Sequence, residues 1–153
     1  MENALVTYET AKLLKNKGFL EFDVYWYENT EETKHTEIRM GNFITIRNKI
    51  ELCQIEYPGE EGLSDYIKFE KDVDFNIITY QDGFYFAPTQ SLTQKWLREV
   101  HNIHITIFSS SQESWMYRIT KPHEQLKDGL YGEDYYTYEE ALEAALQEAL
   151  TLI

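Results

Sequence analysis

The chain has 153 residues, of which 42% are hydrophobic and 15% aromatic, and a formal net charge of −13. That length fits one globular domain over residues 1–153, able to bury roughly 70% of the surface its unfolded form exposes, and the apolar content excludes wholesale disorder. The charge excludes indiscriminate contact with nucleic acid or anionic membrane, and no apolar run nears the ~20 residues that span a bilayer.

A first helix is expected from Thr7, whose hydroxyl can cap the free N–H groups of the opening turn. Tyr8, Ala11 and Leu14 form its apolar stripe, widened by Leu13. Gly18 suits the left-handed position after the last turn, with Phe19 placed for an apolar contact back onto the helix. Leu20, Phe22, Val24 and Trp26 then alternate with polar or tyrosine positions at the period of a half-buried strand. Residues 28–37 are polar and read as a loop. Two strands, Ile38–Arg47 and Ile50–Tyr57, are expected to turn at Asn48-Lys49. The stretch from Glu56 to Ser64, with Pro58, Gly59 and Gly62, is a break rather than a domain linker. Ile67–Tyr80 is partly strand, with Val73, Phe75 and Ile77 on one face.

Asp82-Gly83 predicts a tight hairpin joining Ile77–Tyr80 to Phe84–Phe86. Pro88-Thr89-Gln90 opens a second helix striped by Leu92, Trp96, Leu97 and Val100, and Asn102 can end it in the left-handed region. Ile103–Phe108 follows as a strand, its isoleucines pointing one way and His104, Thr106 and Phe108 the other. After the turn Ser109-Ser110-Ser111, Trp115–Ile119 is expected to pair with it antiparallel. The last helix starts on a capping box, Thr137 and Glu140, and carries the stripe Tyr138, Leu142, Leu146, Ala149, Leu150 and Ile153. The sum is an α+β fold: a mainly antiparallel sheet with about three helices packed on one face.

Charge is unevenly spread. From Asp128 onward there are seven acids, Asp128, Glu133, Asp134, Glu139, Glu140, Glu143 and Glu148, and neither Lys nor Arg. Between Pro88 and His123 the chain is mildly basic, through Lys95, Arg98, Arg118 and Lys121. Cys53 is the only cysteine, so no internal disulfide can form. With an N-terminus lacking the basic and apolar parts of a signal peptide, a cytoplasmic location is expected.

Several short blocks look familiar: Tyr8-Glu9-Thr10-Ala11-Lys12-Leu13-Leu14, Lys17-Gly18-Phe19, Ala87-Pro88-Thr89-Gln90-Ser91-Leu92, Gln94-Lys95-Trp96-Leu97-Arg98-Glu99, His101-Asn102-Ile103 and Tyr138-Glu139-Glu140-Ala141-Leu142-Glu143-Ala144. With them the chain resembles small uncharacterised proteins encoded by phages, prophages and mobile elements of Bacteroides-type gut bacteria. The likeness thins between Asp23 and Asp74. It implies an accessory role in a bacterial cytoplasm and carries over no catalytic residue.

Chemistry-bearing patterns are sparse. His101 and His104 are three apart, but a helix end and Asn102 separate them; His101 is expected near that end, where the helix dipole favours a charged imidazole. Neither they nor Cys53, His35 and His123 give a metal-ligand spacing. No metal and no cofactor are expected. His104, Glu113 and Arg118 form a minimal acid–base set if the two strands pair as expected, which is the basis for an alternative as a small enzyme or ligand binder. The leading expectation is a non-enzymatic protein that binds a basic protein partner through an acidic, tyrosine-flanked surface made of Tyr135, Tyr136, Glu139, Glu140, Glu143 and Glu148. Self-association through exposed sheet edges or the aromatic cluster is the third alternative.

Overall fold

A computed structural model describes residues 4–19, 25–28, 38–40, 42–46, 49–53, 67–71, 77–80, 82–110, 113–122, 130–131 and 134–153. The elements are α1 (Tyr8–Asn16), β1 (Tyr25–Glu28), β2 (Ile38–Met40), β3 (Asn42–Ile46), β4 (Lys49–Cys53), β5 (Ile67–Lys71), β6 (Ile77–Tyr80), β7 (Phe84–Phe86), α2 (Gln90–His101), β8 (His104–Ser110), β9 (Ser114–Thr120), β10 (Leu130–Tyr131) and α3 (Tyr138–Thr151). The fold is α+β. The chain divides into two compact units, one from residues 1–20 and 88–153 and the other from residues 21–87.

In the first unit β8 and β9 form a regular antiparallel hairpin, seven pairs from His104↔Thr120 to Ser110↔Ser114, and β10 adds to the far side of β9. Helices α2 and α3 pack on this sheet, and α1 packs on α3. Burial follows the strand alternation: Ile103, Ile105, Tyr117 and Ile119 are buried. The helical stripe on α3 is broader than the leucines alone, because Ala141, Ala145 and Ala149 are as buried as Leu142, Leu146 and Leu150. Burying such side chains stabilises by about 1.5–3 kcal/mol for each leucine, which is what holds a helix marginal by itself. No helix among the described residues is long and apolar enough to cross a membrane.

The helix ends form as their local chemistry requires. Thr7, Thr89 and Thr137 are the N-caps, their hydroxyls accepting from the N–H groups of Thr10, Leu92 and Glu140. Gly18 adopts φ 81°, and the N–H of Phe19 donates to the Leu14 carbonyl at 3.0 Å while that of Gly18 donates to Lys15 at 3.3 Å. This is a Schellman closure. Asn102 ends α2 at φ 56°, ψ 32°. Val100, placed in the α2 stripe by its spacing, is 61% exposed. Periodicity reports angle around the axis, not cover along it, and the last turn of α2 is uncovered at that point.

The second unit holds two antiparallel sheets, in strand orders β2-β1-β7 and β3-β4-β5-β6. β3 pairs antiparallel with β4, up to Ile46↔Lys49; the expected turn position Asn48 lies outside the described residues. The single strand expected over Ile38–Arg47 is instead two strands in different sheets, β2 on β1 and β3 on β4. The expected hairpin of Ile77–Tyr80 with Phe84–Phe86 is also corrected. Both strands form with those bounds, but β6 pairs with β5 and β7 with β1. Aromatic packing explains the change of partner. Trp26, Phe69, Phe84 and Phe86 are fully buried together, with Tyr80 against them, and Phe69 meets Phe86 edge-on at 4.8 Å. The Tyr80 hydroxyl accepts from the Phe86 N–H at 3.3 Å, and burial pushes the phenol far above its ordinary pKa, so it stays neutral. Ile77 is 39% exposed; Val73 and Phe75, expected beside it, lie outside the described residues, as do the expected strand positions Leu20, Phe22 and Val24 and the polar segment 29–37.

Candidate protein-binding surface

Two short segments set the stage. Residues 4–6 run beside 88–90, with Val6 N–H on the Pro88 carbonyl at 2.9 Å and Gln90 N–H on the Ala4 carbonyl at 2.8 Å. The N-termini of α1 and α2 therefore start side by side. Glu143 of α3 meets both. One carboxylate oxygen accepts from the Thr7 N–H at 2.8 Å, from the Thr7 hydroxyl at 2.6 Å and from the Thr10 hydroxyl. The other accepts from Gln90 Nε2 at 2.8 Å, and the same amide donates to the Glu139 carbonyl at 3.0 Å. Thr10 and Gln90 are buried. A carboxylate at the positive end of α1, meeting an exposed main-chain N–H and hydroxyl of Thr7 together with the buried Thr10 hydroxyl and Gln90 amide, is a structural knot.

Glu148 is also engaged within the fold, accepting from the Tyr117 hydroxyl. Two of the four α3 glutamates expected on an outer acidic face are thus half-buried and committed to internal contacts, whereas Glu139 and Glu140 are exposed. Helical spacing places Glu143 and Glu148 at the margins of the apolar stripe, and a long acidic side chain there reaches whichever polar partner tertiary packing supplies.

Tyrosines before α3 divide similarly. Tyr135 exchanges both main-chain hydrogen bonds with Trp115, at 2.7 and 2.8 Å, and its ring stacks on Tyr117 with centroids 6.1 Å apart. It extends the β9 edge. Asp134, beside it, accepts from the hydroxyls of Ser110 and Ser114 at 3.1 and 3.2 Å and ties the segment to the hairpin tip. Tyr136 is 90% exposed. Tyr138 is 40% exposed, its ring edge-on to Trp115 at 5.6 Å. The outward cluster is therefore Tyr136, Tyr138, Glu139 and Glu140, backed by half-buried Trp115.

For the alternative polar set, pairing places Thr106 opposite Arg118 and His104 opposite Thr120, so His104 and Arg118 share a sheet face with Phe108 and Met116. Thr106 and Arg118 are exposed, so the face is open. Glu113 lies in the hairpin turn at φ 68°, about 20 Å along the strand from His104 at ~3.3 Å per residue. The structure does not bring it to the other two. His104 Nε2 lies 3.3 Å from Asn102 Oδ1.

His101 corrects one expectation. It ends α2, yet its pKa is lowered, first by burial and then by the nearby Lys121 charge. Its ring sits 4.6 Å from Trp96, edge-on, and its buried Nε2 has no hydrogen-bond partner among the described residues. Desolvation outweighs the helix dipole here. Among the described residues no three His, Cys, Asp or Glu side chains converge as metal ligands.

Compared with protein-family models, with curated proteins and with solved structures, the chain matches none.

Proposed function

We propose that this protein acts without catalysis, by binding a basic protein partner through Tyr136, Tyr138, Glu139 and Glu140. The observation that carries this reading is Tyr136, 90% exposed between two fixed neighbours. Tyr135 is held by two main-chain hydrogen bonds and Thr137 by capping α3. An exposed aromatic ring on fixed backbone loses little conformational freedom on binding, which favours it as an anchor. Glu139 and Glu140 add charge that steers a basic surface toward it. Glu143 and Glu148 drop out of the contact set because their carboxylates are used inside the fold. The resemblance to phage and mobile-element proteins supports an accessory role in a bacterial cytoplasm.

The test is parallel affinity capture from the native bacterium with the wild-type chain, Tyr136→Ser, and the pair Glu139→Lys and Glu140→Lys. A partner captured by wild type is expected to be lost with both variants and to weaken in high salt, while thermal melts stay unchanged. A partner set indifferent to both variants refutes the proposal.

A further inference from the structure

The β8–β9 ladder shows which way the main chain of β8 faces. Trp115 turns its N–H and C=O away from β8, since both are bonded to Tyr135. Ser109, opposite Trp115, is then in a non-hydrogen-bonded pair, and so are Ile107 and Ile105 two and four residues back. Their main-chain groups point outward from the sheet edge. Gln94 of α2 takes the Ile105 carbonyl at 3.0 Å, confirming the direction. Among the described residues nothing meets the N–H and C=O groups of Ile107 and Ser109.

This edge carries none of the usual protection. Strand β8 reads His-Ile-Thr-Ile-Phe-Ser-Ser, without Lys, Arg, Asp, Glu or Pro, and its seven pairs with β9 run without a bulge. Thr106 and Ser109 are exposed, and Ile107 and Phe108 only half-buried. Charged residues, proline and bulges are the common means of blocking edge pairing, and strand β8 has none of them.

We infer that β8 pairs antiparallel with β8 of a second copy, centred on Phe108. In that register Ile107 of each chain exchanges both main-chain bonds with Ser109 of the other, four bonds in all, about a two-fold axis. Phe108 then faces its own counterpart in the closer, non-hydrogen-bonded kind of pair, where aromatic side chains pack well. Self-pairing fits better than a foreign strand because the two-fold register uses both free residues and matches the one aromatic side chain of the edge to itself. Gln94 on the Ile105 carbonyl limits the pairing to this segment, so the dimer is weak and concentration-dependent. Salt tightens it by screening two acidic chains, opposite to its effect on the basic partner above.

Sedimentation velocity over a concentration series is expected to show a monomer–dimer equilibrium. Ser109→Pro removes an outward N–H without touching the β8–β9 ladder and is expected to raise the dimer dissociation constant at least tenfold. A second measurement does not depend on that variant folding. In a Cys53→Ser background, Phe108→Cys is expected to form a disulfide-linked dimer under mild oxidation. Thr106→Cys is not, since the two Thr106 positions lie about 13 Å apart in this register at ~3.3 Å per residue. A chain monomeric at every concentration, including one whose edge is instead taken by a strand of another protein, overturns the inference. So does a dimer indifferent to Ser109→Pro, or equal linking at both cysteine positions.

Discussion

The Glu143 carboxylate accepts the main-chain N–H of Thr7 at 2.8 Å, so an acid in the middle of α3 completes the N-terminus of α1. The same side chain holds Gln90 at the start of α2. Glu143→Ala is expected to cost about 1–3 kcal/mol, because it takes a partner from the buried Thr10 hydroxyl and from the buried Gln90 amide, while exposed Thr7 turns to water. Glu143→Gln is expected to cost less, since one oxygen remains for Thr7, although its amide would face that of Gln90. Urea unfolding should show a lower midpoint with an unchanged slope.

Two turns predict changes of opposite sign. Gly18 sits at φ 81° with open space around a built Cβ, so Gly18→Ala is expected to cost about 1 kcal/mol through backbone strain alone. Glu113 holds φ 68° without the freedom of glycine. Glu113→Gly is therefore expected to stabilise by roughly 0.5–1 kcal/mol, partly offset by the greater freedom of the unfolded chain. Thermal melts of the two variants should move in opposite directions.

Tyr117→Phe removes the donor that Glu148 accepts from. The half-buried carboxylate then loses its partner while ring packing is kept, and a loss of about 1–2 kcal/mol is expected. Glu148→Gln, which can still accept from the phenol, should lose less. Denaturation midpoints of the two variants provide the comparison.

His101 makes stability depend on pH in a known direction. Its folded pKa lies below the unfolded value of 6.5, so between the two the unfolded chain binds more protons. The neutral-histidine contribution is complete above 6.5 and is lost as the pH falls toward the folded pKa. Plots of wild-type stability minus that of His101→Phe should slope upward with pH in this window and be level above it. A difference that stays level throughout contradicts the lowered pKa.

Local chemistry was legible in the sequence, and long-range choice was not. Thr7, Thr89, Thr137, Gly18 and Asn102 cap helices as their residue types demand, because a cap needs only a few neighbours along the chain. The bounds of β6 and β7 were readable for the same reason, but their partners were not. Two adjacent strands pair by default, and only the burial of Phe69, Phe84 and Phe86 around Tyr80 sends them to separate sheets. At the candidate surface, Tyr136, Glu139 and Glu140 are exposed, as residues before and at the start of a helix commonly are. Glu143 and Glu148 are half-buried, and that was not legible, since their partners Thr7 and Tyr117 are 136 and 31 residues away.

One unit of the chain interrupts the other along the sequence: residues 21–87 lie between the two stretches, 1–20 and 88–153, that make up the first unit. During synthesis from the N-terminus, the last strand of that inserted unit is made before α2 and α3. The acid that meets the N-terminus of helix α1 comes 136 residues later. The inserted unit is therefore synthesised in full while the unit it interrupts still lacks most of its residues.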